Sequence, residues 1–318
     1  MLLSFVIPVL NEEDSLLRLT AEIVANCKPH AHEIIFIDDG SRDKSFSIME
    51  ELAKADPQIR IVKFRRNFGK AAALQYGFRL ARGEVVFTLD ADLQDNPVEI
   101  PRFLAKLDEG WDLVSGWKQK RHDPLHKVVP SRFFNFVTAR AFRLKLKDYN
   151  CGFKAYRSEV VKELNLYGEM HRYIPALANS LGYRITEIPV EHRKREFGRS
   201  KYGLERYLRG FFDLLTVKMV TQYVKSPLYL FGRAGLLSAL LGTAIMLWMA
   251  ALKIFYGQPI SNRLPLFLGI TLILGGLQFI SLGLVSELII NRISPLRELP
   301  VSVEKTVNIS AEELSESC

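Results

Sequence analysis

Along the first 225 residues, short apolar, β-branched runs alternate with longer stretches whose apolar positions recur every three or four residues. The runs at residues 3–9, 33–37, 59–64, 84–89 and 112–115 predict strands. The stretches at 13–26, 43–55, 70–82 and 97–109 predict helices. Continuous apolar strands joined by helical crossovers imply an α/β, Rossmann-like domain with a mainly parallel sheet covered on both faces. Such sheets bind ligands outside the carboxyl ends of their strands.

The pattern changes near Leu228. Two apolar stretches follow, 234–252 and 266–286, each close to the ~20 residues that a spanning helix needs. The polar turn KIFYGQPISNRLP separates them, so the pair reads as a two-helix transmembrane hairpin. Just before it, Leu204, Tyr207, Leu208, Phe211, Phe212, Leu215, Met219 and Tyr223 follow helical spacing. Arg206, Arg209, Lys218 and Lys225 lie mostly off that stripe, the pattern of a helix lying in a membrane surface. The expected order is an α/β domain over 1–200, an interfacial helix over 201–227, the hairpin over 228–292 and a polar tail over 293–318. The acidic tail from Val301 is expected to be disordered. Lys and Arg crowd the entry of the first span, against Lys253 and Arg263 in the outer turn. That bias puts the α/β domain and both termini on the cytoplasmic side, at the plasma membrane in a bacterium. Arg233 and Glu287 fall at similar depth at the mouth of the hairpin and are expected to pair, within one chain or between two.

Charge and cysteines narrow the classes. A net charge of +8 and a pI near 9.3 call for an anionic partner. The basic residues flank the strand ends and the apolar spans, which favours phosphorylated substrate and lipid headgroups over nucleic acid. Cys27, Cys151 and Cys318 are scattered and odd in number, as expected of reduced thiols. The opening MLLSFVIPVLNEED lacks a basic n-region and a small-residue cleavage site, so it is expected to be a strand and not a signal peptide. No G-x-G-x-x-G follows that strand, which argues against a dinucleotide-dependent oxidoreductase.

Polar residues punctuate the strand ends: Asn11-Glu12 after the first, Asp38-Asp39-Gly40-Ser41-Arg42-Asp43 after the second, and Asp90-Ala91-Asp92-Leu93-Gln94-Asp95 after the fourth. Gly40 permits a tight turn and Asp43 can cap the next helix. In extended backbone the i, i+2 spacing of Asp90 and Asp92 directs both carboxylates to one face. Two such oxygens at a strand end suit a hard divalent cation that also takes phosphate oxygens. Asp-x-Asp is weak alone; its place after EVVFTL gives it weight. Asp95 suits a cap of the next helix, which Asn96 and Pro97 open. His171 and Arg172 in GEMHRY are lesser candidates for sugar or diphosphate contact. The basic stretch Lys118, Lys120, Arg121, His122, His126 and Lys127 suits a lipid headgroup or carrier phosphate. Trp111 and Trp117 read as packing.

PVLNEE, IDDGSRD, RNFGKAAAL and DADLQD, in that order and spacing, resemble the family 2 glycosyltransferases of the GT-A fold. The resemblance is closer to the branch with dolichol-phosphate mannose synthase and bacterial polyprenyl-phosphate glycosyltransferases. DYNCGFKAYR (148–157) and FGRSKYG (197–203) extend it across the first domain. It implies transfer of a hexose-type sugar from a UDP- or GDP-sugar donor to a polyprenyl phosphate, undecaprenyl or dolichyl, at a membrane, with Mg²⁺ or Mn²⁺. A homo-oligomer stays open as a partner. By resemblance, Pro8, Leu10, Glu12, Ile37 and Asp39 line the nucleoside pocket, and Lys70 joins the nucleotide-sugar set. Asp90, Asp92 and Gln94 hold metal and diphosphate. Lys118 and Arg132 meet the acceptor phosphate, and Arg199 and Lys201 close over the phosphates. Some relatives carry an acidic residue where Gly152 stands here; the nearest carboxylate is Asp148, which leaves a dedicated base in doubt. The catalytic set is therefore Asp92, Asp148, Lys118 and Arg132. A processive polysaccharide synthase is the nearest alternative, but its Gln-x-x-Arg-Trp motif is missing from the sequence. A non-catalytic nucleotide-binding scaffold is disfavoured by the intact DADLQD.

Overall fold

The computed structural model describes residues 1–119, 138–140, 142, 144–193, 216–219, 227–257, 264–292 and 303–308. The chain divides into two compact units, Met1–Val217 with Glu298–Cys318, and Lys218–Arg297.

In the first unit the strands are β1 (Leu2–Val9), β2 (Ala31–Asp38), β3 (Ile59–Phe64), β4 (Val85–Thr88), β5 (Leu113–Lys118), β6 (Lys154–Arg157), β7 (Ile185–Val190) and β8 (Val303–Val307). They form one sheet in the order β7-β5-β6-β4-β1-β2-β3-β8. The crossover helices are α1 (Leu16–Asn26), α2 (Ser45–Ala55), α3 (Lys70–Leu80) and α4 (Ile100–Asp108), followed by α5 (Ser158–Glu163) and α6 (Ile174–Ser180). The central strands β4, β1, β2 and β3 are parallel, as the continuous apolar runs predict. Phe5, Ile7, Phe36, Phe87, Phe103 and Phe153 are fully buried in one core cluster. Phe103 and Phe153 pack with ring centroids 4.4 Å apart.

Antiparallel β6 matters most for function. It pairs with β4 on one side, Thr88 opposite Lys154, and with β5 on the other. Because β6 runs backwards, its first residue sits at the edge where its neighbours end. The segment before it, Asn150 to Phe153, is thereby brought to the carboxyl end of β4. The sequence pattern did not separate this strand from the basic region before it. It also missed β7 (ITEIPV), whose half-exposed residues give no apolar run.

The tail departs from expectation. Residues 303–307 add an antiparallel edge strand to β3 instead of being disordered. Asn308 donates from Nδ2 to the carbonyls of Ala53 (3.1 Å) and Ile59 (2.8 Å). An edge strand with free backbone groups accepts a polar partner strand through main-chain bonds, whatever its side chains.

The second unit holds α7 (Pro227–Tyr256) and α8 (Leu264–Arg292), each with a window of mean hydropathy 2.0. They pack antiparallel through glycines. A Cβ on Gly235 would lie 2.5 Å from the Gly276 carbonyl, and one on Gly242 would lie 2.6 Å from that of Gly269. Such close backbone approach is what small residues permit between two apolar helices. Ser238 donates to the Leu272 carbonyl at 2.8 Å. The expected Arg233–Glu287 pair does not form within the chain. The Arg233 guanidinium lies 5.8 Å from the Tyr229 ring centroid, and Oε2 of Glu287 is buried without a hydrogen-bond partner. Residues 204–223 lie outside the described residues apart from the helical Thr216–Met219.

Candidate active site

The carboxyl ends of β1, β2 and β3 enclose a cavity of about 450 Å³. Leu10 and Asn11 line it after β1, Gly40, Ser41 and Arg42 after β2, and Lys63 and Phe64 at the end of β3 with Arg65, Arg66 and Asn67 beyond it. The turns interlock. Asn11 (φ 52°) accepts from the Arg42 amide at 2.7 Å, and its own amide donates to Ser41 Oγ at 2.9 Å. Gly40 takes φ +79°, which bears out the expected tight turn. Asp43 works one residue away from the expected cap position. It accepts from the Ser45 amide at 3.0 Å, just ahead of the helix, and from the Glu13 amide at 3.3 Å.

The residues expected around a nucleoside divide. Leu10 lines the cavity, and Pro8 and Glu12 are half-buried at the same edge, whereas Ile37 is fully buried in the sheet. Asp39 turns to the loop after β3. It accepts from the Phe68 amide at 2.6 Å and the Gly69 amide at 3.0 Å, and burial pushes its carboxyl up to about 6. That loop delivers Lys70, the first residue of α3, to an ion pair with Asp90.

The acidic run is a turn and not extended backbone. β4 ends at Thr88, and Leu93 takes φ +59°, so alternation along a strand does not orient Asp90 and Asp92. Instead the turn is fixed from within. Asp92 Oδ1 accepts from the Gln94 amide at 3.2 Å, and Asp95 Oδ2 accepts from the Asp90 amide at 3.4 Å. Asp95 does not cap the next helix; Asn96 does, accepting from the Val98 amide at 3.2 Å. Asp95 is 1% exposed, lies 3.7 Å from the Lys118 amine, and is pushed by burial up to about 6 despite that lysine.

Three lysines ring these carboxylates. Burial works to raise the Asp90 pKa, but the charges of Lys70 and then Lys118 outweigh it and hold the carboxyl well below the usual range. Burial opposes the charge on Lys118, and Asp95 more than restores it. Lys154, at the start of β6, is buried and donates to the Cys151 carbonyl; desolvation lowers its pKa. His171 is kept neutral by burial and by Lys70 and Arg172, with a buried Nδ1 that has no partner. Arg172 is buried too and pairs with Glu169 at 2.7 Å, so the two are not a surface pair.

Gly152 bears on the question of a base. A Cβ there would lie 2.7 Å from Asp90 Oδ2. A side chain at this position would collide with the Asp90 carboxylate as it stands. Asp148 is buried and accepts from the Asn150 amide at 3.1 Å. Gln94 faces the far side of the edge, its amide nitrogen 3.4 Å from both His192 Nε2 and the Arg193 carbonyl. Lys147 sits 3.7 Å over the Trp117 ring, while Trp111 packs on the core. Arg132, Arg199, Lys201 and the basic stretch from Lys120 to Lys127 lie outside the described residues.

Asp90 and Asp92 are the carboxylates chemically suited to a hard divalent cation, and among the described residues no group of three or more His, Cys, Asp or Glu side chains is placed to hold one. Asp90 is about a third exposed and Asp92 shares its turn, while Gln94 is engaged through its amide nitrogen by His192 and the Arg193 carbonyl. One or two carboxylates beside phosphate oxygens are the usual protein share of such a site. Lys154 and Asp95 were not recognised from sequence. The signals were a lysine opening a short strand and a fourth polar residue in an acidic turn.

Comparison with known proteins agrees with this geometry. The family description "Glycosyl transferase family 2" matches residues 4–164. The chain is 38% identical over 294 residues to dodecaprenyl-phosphate galacturonate synthase of Rhizobium johnstonii, covering 90% of this chain and 87% of that protein. It is also 38% identical over 321 residues to undecaprenyl-phosphate 4-deoxy-4-formamido-L-arabinose transferase of Pseudomonas savastanoi, covering 99% and 93%. Among solved structures, glucosyl-3-phosphoglycerate synthase of Mycobacterium tuberculosis with Mn²⁺, UDP and phosphoglyceric acid superposes with a TM-score of 0.54 at 20% identity. That match covers 68% of this chain and 78% of that one. With its GT-A fold and the motifs assembled at the sheet's carboxyl edge, the chain belongs to glycosyl transferase family 2 and is a glycosyltransferase.

Proposed function

We propose that the protein transfers a sugar from a UDP- or GDP-sugar to a polyprenyl phosphate, with inversion, to give a lipid-linked sugar monophosphate. The observation that carries this reading is the acidic turn Asp90–Asp95 ringed by Lys70, Lys118 and Lys154, beside a basic cavity at the same strand-end edge. The names of the two relatives support the acceptor class.

Asp90, Asp92 and Gln94 would hold Mg²⁺ or Mn²⁺, which when bound supplies positive charge to the leaving diphosphate. The lysines add charge there, where stabilisation in a water-poor site counts most. Lys118 and Arg132 would orient the acceptor, with Arg199 and Lys201 over the donor phosphates. No protein base is required. A phosphate monoester with a second pKa of about 6 is largely dianionic at neutral pH and is already a nucleophile. The collision awaiting a side chain at Gly152 supports that view. The apolar α7–α8 hairpin supports a place in the bilayer beside a lipid acceptor. Both the chain before the hairpin and β8 after it belong to the same unit, which fits two spans that return the chain to its starting, cytoplasmic side.

A panel of radiolabelled nucleotide-sugars, offered with undecaprenyl or dolichyl phosphate and Mg²⁺ or Mn²⁺, tests the reading. The relatives' names carry a uronic acid and a formamido-pentose, so the panel holds both classes beside hexoses. One donor should label an organic-soluble, acid-labile product of inverted anomeric configuration. Label that stays in the aqueous phase with every donor and lipid would sink it.

A further inference from the structure

We propose that Lys70 is the resident counter-ion of Asp90, so that a divalent cation binds in competition with it, and that Asp39 is the positioning residue that sets how firmly the lysine is held. This rests on the metal reading above and assigns to two residues of that site a task beyond contact with the donor.

The end of β2 sets the position of the lysine. Both oxygens of the Asp39 carboxylate take backbone amides of the loop after β3: Oδ1 from Phe68 at 2.6 Å, Oδ2 from Gly69 at 3.0 Å. Carboxylate-to-amide bonds are among the stronger ones, because the acceptor is charged. Gly40 presses on the same loop, since a Cβ there would lie 2.8 Å from the Arg66 carbonyl carbon and 2.9 Å from the Asn67 nitrogen. Gly69, at φ +92°, then turns the chain into α3, and the next residue is Lys70. The lysine is therefore placed by a loop gripped at two points, not by a free side chain searching for a partner.

Its amine meets Asp90 Oδ1, with the two side chains 27% and 34% exposed. A divalent cation at Asp90 needs carboxylate oxygen that this amine already engages, and two cations cannot share it without repulsion. A Cβ at residue 152 would lie 2.7 Å from Oδ2 and 2.9 Å from Oδ1, so glycine there keeps that side of the carboxylate clear and leaves the Lys70 amine as the group that engages it. Lys118 and Lys154 add positive charge nearby without taking the place of Lys70: one faces Asp95, the other the Cys151 carbonyl. The loop that grips Lys70 also forms one wall of the basic cavity through Arg65, Arg66 and Asn67. A nucleoside diphosphate in that cavity would draw the lysine toward its phosphates and so free Asp90 for the cation.

The test is Mn²⁺ binding to the full-length protein in detergent without nucleotide, read from the paramagnetic resonance signal of free Mn²⁺. Lys70→Met should bind Mn²⁺ about two- to fivefold more tightly than wild type, the size expected when a partly exposed ion pair no longer competes. Lys118→Met, which removes the same charge from beside Asp95, should give a smaller gain. Asp39→Ala is the discriminating variant. Loss of a negative charge by itself weakens cation binding, whereas release of Lys70 strengthens it. Binding that tightens in Asp39→Ala supports the proposal, and binding that weakens overturns it. If circular dichroism shows that Asp39→Ala is unfolded, the comparison of Lys70→Met with Lys118→Met decides. Equal or weaker binding by Lys70→Met, while wild type takes up Mn²⁺ and Asp92→Ala does not, defeats the competition and leaves the metal reading standing. No uptake by either wild type or Lys70→Met defeats both.

Discussion

The two edges of the sheet use charge in opposite ways. At the amino edge, Glu33 is buried and its oxygens are shared among Ser4 Oγ (2.5 Å), Arg60 (2.8 Å) and the Arg82 amide (2.7 Å). Arg60 also donates to the Leu80 carbonyl at 2.8 Å, and Ser4 accepts from the Gly83 amide at 2.7 Å. One anion meets one cation, and further donors occupy the anion. At the carboxyl edge, Asp90, Asp92 and Asp95 crowd one turn, opposed by Lys70, Lys118 and Lys154. There Asp95 Oδ1, 3.7 Å from the Lys118 amine, and His171 Nδ1 are buried without hydrogen-bond partners. The first arrangement engages both oxygens of its anion and ties β1, β2 and β3 together. The second keeps unspent charge and hydrogen-bonding capacity, which costs stability but is what a phosphate-rich ligand would use.

Substitutions should separate the two edges. The largest effect is expected at the carboxyl edge. Asp92→Ala should lower transfer by about 10³-fold or more with little change in Tm; Asp90→Asn should lower it as far and also reduce Tm, because Lys70 and Lys118 lose the carboxylate that they hold ionised. Chelation of divalent cations should have the same effect and be reversed by their return. Variants that keep a tenth of the activity would break the contrast. At the amino edge Glu33→Ala should do the opposite. It leaves Arg60 buried without its partner at a cost of about 3–5 kcal/mol, seen as a large drop in the denaturation midpoint, while the molecules that remain folded turn over normally.

Why one edge was easier to read than the other follows from distance along the chain. β1 to β5 announce themselves as local apolar runs, and the acidic punctuation after β4 stands out against EVVFTL. The chemistry at Asp90 and Asp92 was therefore legible from their place after a strand, although the orientation argument was not, because the strand stops two residues early. What stayed hidden depends on partners far away in sequence: Gln94 on Arg193, Asp39 on Gly69, Lys118 on Asp95. The β8 tail was misread because its polar composition resembles disorder, while its ordering comes from main-chain bonds to β3 that composition does not encode.

A smaller effect sharpens the comparison through pH. Burial raises the Asp95 pKa to about 6 in the fold, above its unfolded value near ~4. A carboxyl raised in this way penalises the native state when ionised. The penalty is full above pH ~6 and disappears below pH ~4. Asp95→Asn should therefore be more stable than wild type at pH 7, by about 1–3 kcal/mol, and the gap should close as pH falls toward 4. A gap that widens on acidification would mean that Asp95 is stabilised as an anion. The smallest shift belongs to the acceptor. With no protein base, the acid limb of the rate profile should follow the lipid phosphate's pKa near ~6 and move when a phosphonate of different pKa replaces it. A limb that stays fixed but vanishes in Asp148→Asn would reveal a base at Asp148.

The central claim is that the open charge at the carboxyl edge serves transfer to a lipid phosphate. The most direct measurement is stoichiometry: nucleoside diphosphate released against sugar recovered on polyprenyl phosphate, with the matching polyprenol as control. The account predicts one diphosphate for each lipid-linked sugar, with neither formed when the alcohol replaces the phosphate. Diphosphate release that continues without lipid phosphate, or several sugars accumulating on each acceptor, would contradict it.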